Sequence, residues 1–169
     1  MRDNIMHFAI IGCGRVAGHH SHSIDKIPQA KMAAFCDLVE ERAAFLAKET
    51  NVPYYTNYHE MLIKHPEIDI VCIATPSGMH FEHMRDVITR YKKHIVIEKP
   101  MVMTLRQGHK IKKIADANSV QIFPVFQNRF NKAIQRVKTA INNKELGDLV
   151  SVSISIWWYR PQKYYDRDP

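Results

Sequence analysis

A membrane anchor is the first thing missing from this chain. No apolar run approaches the ~20 residues needed to cross a bilayer, and the opening Met1-Arg2-Asp3-Asn4 leads into no secretory hydrophobic region. A soluble cytoplasmic protein without a membrane partner is the expectation. Cysteine is scarce. Cys13, Cys36 and Cys72 form no Cys-x-x-Cys pair, so buried reduced thiols are expected rather than a metal site. His19, His20 and His22 crowd together, but on a helix they point to different faces and no nearby acid completes a ligand set. Solvent-exposed histidines, and no metal, are expected there. A formal net charge of +7 invites a nucleic-acid partner. Yet residues such as Arg85, Arg90, Lys92, Lys110, Lys113 and Arg136 scatter over helix faces, with no interleaved aromatic platform and no long run of like charge. No nucleic-acid partner is expected. Internal repeats and low-complexity segments are absent as well.

What is present is ample apolar material, 46% of 169 residues, organised around Phe8-Ala9-Ile10-Ile11-Gly12-Cys13-Gly14-Arg15-Val16-Ala17. A short apolar run meets Gly-Cys-Gly and then a helical segment. That order suits a buried parallel strand, a tight turn and a helix N-terminus able to hold a phosphate. Gly12 permits the turn, Gly14 lets a pyrophosphate approach the amides, and Ala17 is the third small position, where helix packs on strand. Ala33-Ala34-Phe35-Cys36-Asp37 reads as the next strand, and its acid lies 37 − 12 = 25 residues after Gly12. That is near the ~20 expected for an acid that accepts from the adenosine ribose. A carboxylate there repels a 2′-phosphate, so NAD is favoured over NADP. The alternative is a plain βαβ crossover ending in a surface Asp.

Strand-like and helical periods alternate onward from there. The first helix is expected over about 15–27, and Val39, Ala43, Leu46 and Ala47 share one face of a second. Pro53-Tyr54-Tyr55-Thr56 is a short third strand, Tyr58 to Lys64 a short helix, and Ile68 to Ala74 a fourth strand buried on both faces. Met84, Val87, Ile88 and Tyr91 are spaced as on a helix. His94-Ile95-Val96-Ile97 is a fifth strand, Leu105 to Asn118 a helix with Ile111, Ile114 and Ala115 inward, and 121–125 a sixth strand that Pro124 pushes to an edge. The fold class is therefore α/β, a doubly wound parallel (Rossmann) sheet over residues 1–125. Past 126 the pattern changes. Phe130, Ala133, Ile134, Val137 and Ile141 mark an amphipathic helix, then Val150, Val152, Ile154, Ile156 and Trp158 alternate with Ser151, Ser153 and Ser155. Period two signals a one-face-buried antiparallel sheet. Residues 126–169 read as the truncated start of an α+β open-faced sheet domain.

Ligands of a doubly wound sheet bind outside the carboxyl ends of its strands. The polar residues at those ends are Gly12 to Val16 (with Gly14 and Arg15), Asp37, Thr75-Pro76-Ser77 with His80, Glu98-Lys99-Pro100, and Gln127-Asn128-Arg129. Lys99 is the sharpest candidate. Partly desolvated beside a nicotinamide ring, it would accept a proton from, or donate a hydrogen bond to, a sugar hydroxyl, with Glu98 orienting it or touching the cofactor. The other reading is a surface Lys–Glu pair ending a strand. His80 either caps its helix, touches the cofactor or is a satisfied polar residue.

Gly12-Cys13-Gly14-Arg15-Val16-Ala17, Ala74-Thr75-Pro76 with His80, Glu98-Lys99-Pro100 and Gln127-Asn128-Arg129-Phe130 together resemble the glucose–fructose oxidoreductase / inositol 2-dehydrogenase / rhizopine catabolism (Gfo/Idh/MocA) family. Glu-Lys-Pro ending the fifth strand is the most specific mark. The resemblance implies that Lys99 is the catalytic-site lysine, that the Lys99-Pro100 bond is cis, and that Thr75, His80, Glu98, Lys99 and Gln127 contact NAD(P). The tail Trp158-Tyr159-Arg160-Pro161-Gln162-Lys163-Tyr164-Tyr165-Asp166 is similar to nucleotide-sugar 3-dehydrogenases, which oxidise UDP-N-acetylglucosaminuronic acid during surface-polysaccharide synthesis. In that branch Arg160 and Tyr164 would lie near the substrate. Family members are about twice this long, and no Asp-x-x-x-His segment, the source of their second catalytic group, occurs beyond residue 126. The chain is thus expected to keep a cofactor pocket without substrate turnover, and the full-length protein to be a homo-oligomer. Two functions stay open at this stage. One is an NAD-dependent sugar or nucleotide-sugar oxidoreductase; the other is a non-catalytic NAD-binding or redox-sensing module acting through a protein partner.

Overall fold

The computed structural model describes residues 5–166; Met1-Arg2-Asp3-Asn4 and residues 167–169 lie outside it. The chain divides into two compact units, one ending at Phe126 and one opening at Gln127.

The first unit runs β1 (Met6–Ile11), α1 (Ala17–Asp25), β2 (Ala30–Cys36), α2 (Glu40–Thr50), β3 (Tyr54–Tyr55), α3 (Tyr58–Lys64), β4 (Ile70–Ile73), α4 (His80–Asp86, continued by a π-helical turn Val87–Tyr91), β5 (His94–Ile97), α5 (Leu105–Ala117) and β6 (Ile122–Pro124). Every pairing is parallel. The order β3-β2-β1-β4-β5-β6 reverses direction between β1 and β4, which makes the fold a doubly wound α/β sheet. The strands carry near-continuous apolar runs because helices cover both faces; β4 is buried at all four of its residues.

Alternation along each strand sorts the core into two layers. Phe8, Ile10, Phe35 and Cys72 pack with Ala17 and Ile24 of α1 and Leu46 of α2. Ala9, Ile11, Val71, Ile73, Ile95 and Ile97 pack with Met61 of α3, Met84 of α4 and Ile111 of α5. Two expectations need adjustment. The helix expected from Arg15 begins at Ala17, with Val16 as its N-cap. Val39, expected inward, is 41% exposed, because it is the extended N-cap of α2 and stands outside the helical register. Pro124 ends β6 at the sheet edge, where a missing N–H leaves no ladder broken.

The second unit holds a short turn (Gln127–Phe130), α6 (Lys132–Asn142) and α7 (Gln162–Tyr165). Asn131 caps α6 by accepting from the Ala133 amide at 2.9 Å. The strand expected over Val150–Trp158 does not form, and its apolar residues are exposed, Val150 at 97% and Trp157 at 96%. Alternating sequence alone supplies only one side of a ladder, and no strand partner exists among the described residues of this unit. For the same reason Ile134 and Val137, on the apolar stripe of α6, are each 52% exposed. No helix among the described residues is long and apolar enough to cross a membrane.

Candidate functional site

Gly12 leaves β1 with φ +94°, in the left-handed region. Its amide donates to the Cys36 carbonyl at 2.8 Å. A Cβ at this position would lie 2.7 Å from the Ala74 carbonyl carbon and the Thr75 nitrogen, so the tip of β4 tolerates only glycine there. Gly14 is the opposite case: a Cβ would meet nothing within 4 Å, and the residue is exposed. Arg15 is exposed too. At α1 the N-cap Val16 makes no side-chain cap, whereas Thr104 caps α5 by accepting from the Gln107 amide. An uncapped first turn beside an open glycine, with Ala17 fully buried under it, is a place for an anion.

Asp37 follows β2 and spreads its carboxylate between two amides. Oδ2 accepts from Cys13 N at 2.7 Å and Oδ1 from Val39 N at 2.8 Å. The acid thus staples the glycine turn to the β2 tip, and its remaining lone pairs are available to hydroxyls. Its charge also bears on two neighbouring thiols. Burial first, and Asp37 second, push both Cys13 and Cys36 up to about 12. All three cysteines are free and buried.

At β4, Thr75 is held from two sides. His80 is 1% exposed; its Nε2 lies 2.8 Å from the Thr75 carbonyl and its Nδ1 2.8 Å from the Pro100 carbonyl. Carbonyls only accept, so a neutral ring serves one of them and an imidazolium both. Thr75 Oγ1 is 3.0 Å from His83 Nδ1. Burial, then the charge of His80, hold His83 below the usual histidine range. Pro76 caps the following turn by accepting from the Met79 amide at 2.9 Å.

At β5, the Glu98 amide donates to the Ile73 carbonyl at 3.1 Å. Its Oε1 lies 2.9 Å from His20 Nε2, and its Oε2 accepts from the Lys99 amide at 3.2 Å. The Lys99-Pro100 bond is cis. Lys99 itself is exposed, two residues beyond the end of β5 at Ile97. His20 corrects another expectation. Its side chain is only 17% exposed and Glu98's only 14%, while His19 and His22 remain exposed. Helical spacing held the signal, because Ala17, His20, Ser21 and Ile24 follow i, i+3, i+4, i+7 on the inward stripe of α1.

These contacts bring Gly12, Gly14, Arg15, Val16, Asp37, Thr75, Pro76, His80, Glu98 and Lys99 to one edge and close a circuit: α1 to Glu98 through His20, Pro100 to Thr75 through His80, and Thr75 back to Gly12. Gln127, Arg160 and Tyr164 belong to the second unit. Gln127 opens its first turn. The Arg160 guanidinium lies 3.7 Å from the Trp158 ring centroid and 4.1 Å from that of Tyr164, a cation–π stack joining the two tail candidates. No group of three or more metal-ligating side chains occurs among the described residues.

Comparison with known proteins agrees with this architecture. Residues 6–126 match the Gfo/Idh/MocA family, described as an oxidoreductase family with an NAD-binding Rossmann fold. The WlbA dehydrogenase of Chromobacterium violaceum, solved with NADH and UDP-GlcNAcA, is 31% identical with a TM-score of 0.91; the likeness covers 98% of this chain and 48% of that one. WlbA of Bordetella pertussis, solved with the same two ligands, is 32% identical with the same TM-score and coverage. The NADP(+)-dependent scyllo-inositol 2-dehydrogenase IolW of Bacillus subtilis is 33% identical over 103 residues, 61% of this chain and 28% of that protein. The chain therefore spans about half the length of the solved relatives and less of the curated one. By its matched residues and its strand-tip edge, it belongs to the Gfo/Idh/MocA oxidoreductase family.

Proposed function

We propose that this chain is the cofactor-holding part of an NAD-dependent oxidoreductase that moves a hydride between a sugar or nucleotide-sugar hydroxyl and the nicotinamide. The convergence of the glycine turn, Asp37, Thr75 and Glu98-Lys99 on one edge at the sheet's reversal carries this reading. The residues fit the dinucleotide: Gly14 leaves open the space a Cβ would fill, α1 begins uncapped, and Asp37 keeps free acceptor capacity. When bound, NAD supplies the hydride acceptor.

The chain's own groups do the rest. Amides of Gly14 to Val16 hold the pyrophosphate, Asp37 accepts from the adenosine ribose and disfavours a 2′-phosphate, Thr75, Pro76 and Glu98 line the remaining cofactor contacts, and the buried His80 supports that edge from behind through the Thr75 and Pro100 carbonyls. Lys99 holds the reacting hydroxyl and takes its proton as the hydride leaves. A nucleotide sugar is the substrate class best supported. The two WlbA enzymes carry UDP-GlcNAcA, and their likeness takes in 98% of the chain, hence the Arg160–Tyr164 tail that would meet the sugar. Surface-polysaccharide synthesis, a cytoplasmic location supported by three buried free thiols, and a homo-oligomeric full-length protein complete the proposal.

Calorimetric titration of the chain with NAD and NADP tests the cofactor claim; binding of NAD roughly tenfold tighter is expected from Asp37. Lys99→Ala in the full-length protein should lower turnover on UDP-sugars by about 100-fold or more while NADH affinity stays within about threefold. A Lys99→Ala enzyme with normal turnover overturns the assignment.

A further inference from the structure

We propose that His20 is a positioning residue for Lys99, acting through the Glu98 carboxylate; the inference rests on the reading of Lys99 given above. Three observations support it. His20 and Glu98 are 78 residues apart in sequence, yet His20 Nε2 and Glu98 Oε1 meet at 2.9 Å with side chains only 17% and 14% exposed. An ionised carboxylate only accepts, so Nε2 carries the proton and donates. The second oxygen of the same carboxylate accepts from the backbone amide of Lys99 at 3.2 Å. One carboxylate therefore links a helix side chain to the backbone from which the candidate lysine departs.

The anchor beyond His20 is rigid. Ala17 and Ile24 of the same helix are 0% and 5% exposed against the sheet, so α1 is pinned beside the glycine turn. Because α1 also presents its N-terminus at that turn, the His20–Glu98 bond sets Lys99 in register with the anion cradle. On the far side, Pro100's carbonyl is held by His80 at 2.8 Å. Removing His20's donor frees Glu98 to rotate toward solvent and releases the Lys99 amide from its acceptor. The fold loses no core side chain, and the lysine loses its fixed point of departure. A misplacement of about 1 Å is enough to cost on the order of 100-fold in rate.

Three variants separate this role from mere packing. His20→Leu fills the ring's space without a donor, with His20→Met as the replacement should the Leu variant not fold. His20→Gln keeps a donor near the Nε2 position. The first readout is amide hydrogen exchange by NMR on the 169-residue chain, with no cofactor present. In His20→Leu the Lys99 amide is expected to exchange roughly tenfold faster, while the Ile10 and Val71 amides of the sheet are unchanged; His20→Gln restores protection to within about threefold. Adding Glu98→Ala to His20→Leu should accelerate Lys99 no further than Glu98→Ala alone.

The second readout is turnover of the full-length protein: His20→Leu should lower kcat about tenfold or more with KM for NAD moving less than about threefold, and His20→Gln should recover most of the loss. Lys99 exchange as slow in His20→Leu as in wild type overturns the inference, as does an unchanged kcat in that variant when Lys99→Ala is inactive. Normal turnover in Lys99→Ala overturns instead the reading of Lys99, and does not touch the exchange result.

Discussion

Replacing Gly12 and Gly14 separately by alanine should split folding from cofactor binding, although the two stand only one residue apart. At Gly12 the added methyl meets backbone, not side chain: Ala74 C and Thr75 N at 2.7 Å and Ala74 O at 2.8 Å. The tip of β4 is pinned by its own ladder, with the Ala74 amide donating to the Ile11 carbonyl at 2.8 Å, so it cannot swing aside. A φ of +94° adds conformational strain for any residue with a Cβ, about 1–2 kcal/mol, and overpacking adds about 1–3 kcal/mol. Gly12→Ala should therefore lose roughly 2–5 kcal/mol, a large part of the ~5–15 kcal/mol typical of a domain. Followed by circular dichroism in urea, that is a fall in midpoint of about 1–2 M. Gly14→Ala meets open space at a φ outside the left-handed region, and its unfolding free energy should stay within about 0.5 kcal/mol of wild type. Its NADH affinity, read by fluorescence titration, should nevertheless fall at least about tenfold, because the methyl fills the approach to the amides. A Gly12→Ala chain as stable as wild type would refute the steric reasoning. A Gly14→Ala chain that binds NADH normally would remove the cradle from this turn.

Burial predicts that none of Cys13, Cys36 and Cys72, each pushed up to about 12, reacts with a disulfide reagent at pH 8 in the folded chain, and that all react once it is unfolded; titration of a native thiol would contradict their placement. His83 is held below the ordinary histidine range by burial, so between that lowered value and about 6.5 the unfolded chain binds a proton that the folded one does not. Its contribution to stability is thus intact above about pH 6.5 and lost as pH falls below it. His83→Gln should flatten the drop in urea midpoint between about pH 7.5 and 5.5, and an unchanged drop would show that other groups cause it. His80→Ala strands the Thr75 and Pro100 carbonyls without their donor and should cost about 2–5 kcal/mol in urea unfolding; a cost under about 0.5 kcal/mol would mean the two contacts carry little.

Most of the strand-tip edge is legible in local chemistry alone. Apolar runs such as Ile70-Val71-Cys72-Ile73 announce strands buried on two faces, and the glycine turn followed by an acid-tipped strand announces a doubly wound sheet with a polar edge at its strand tips, because backbone freedom and hydrophobic period are properties of a few neighbouring residues. The helical register of α1 also held His20's inward position, though crowding with His19 and His22 obscured it.

What the tertiary structure alone decided is who meets whom over long separations. That His20 reaches Glu98, that Asp37 binds the glycine turn, and that His80 bridges Thr75 to Pro100 all follow from how parallel strands set their tips side by side. The same dependence explains Val150 to Trp158. An alternating sequence specifies which side chains share a face, but a strand exists only where a second strand answers its hydrogen bonds, and within the described residues of that unit none does.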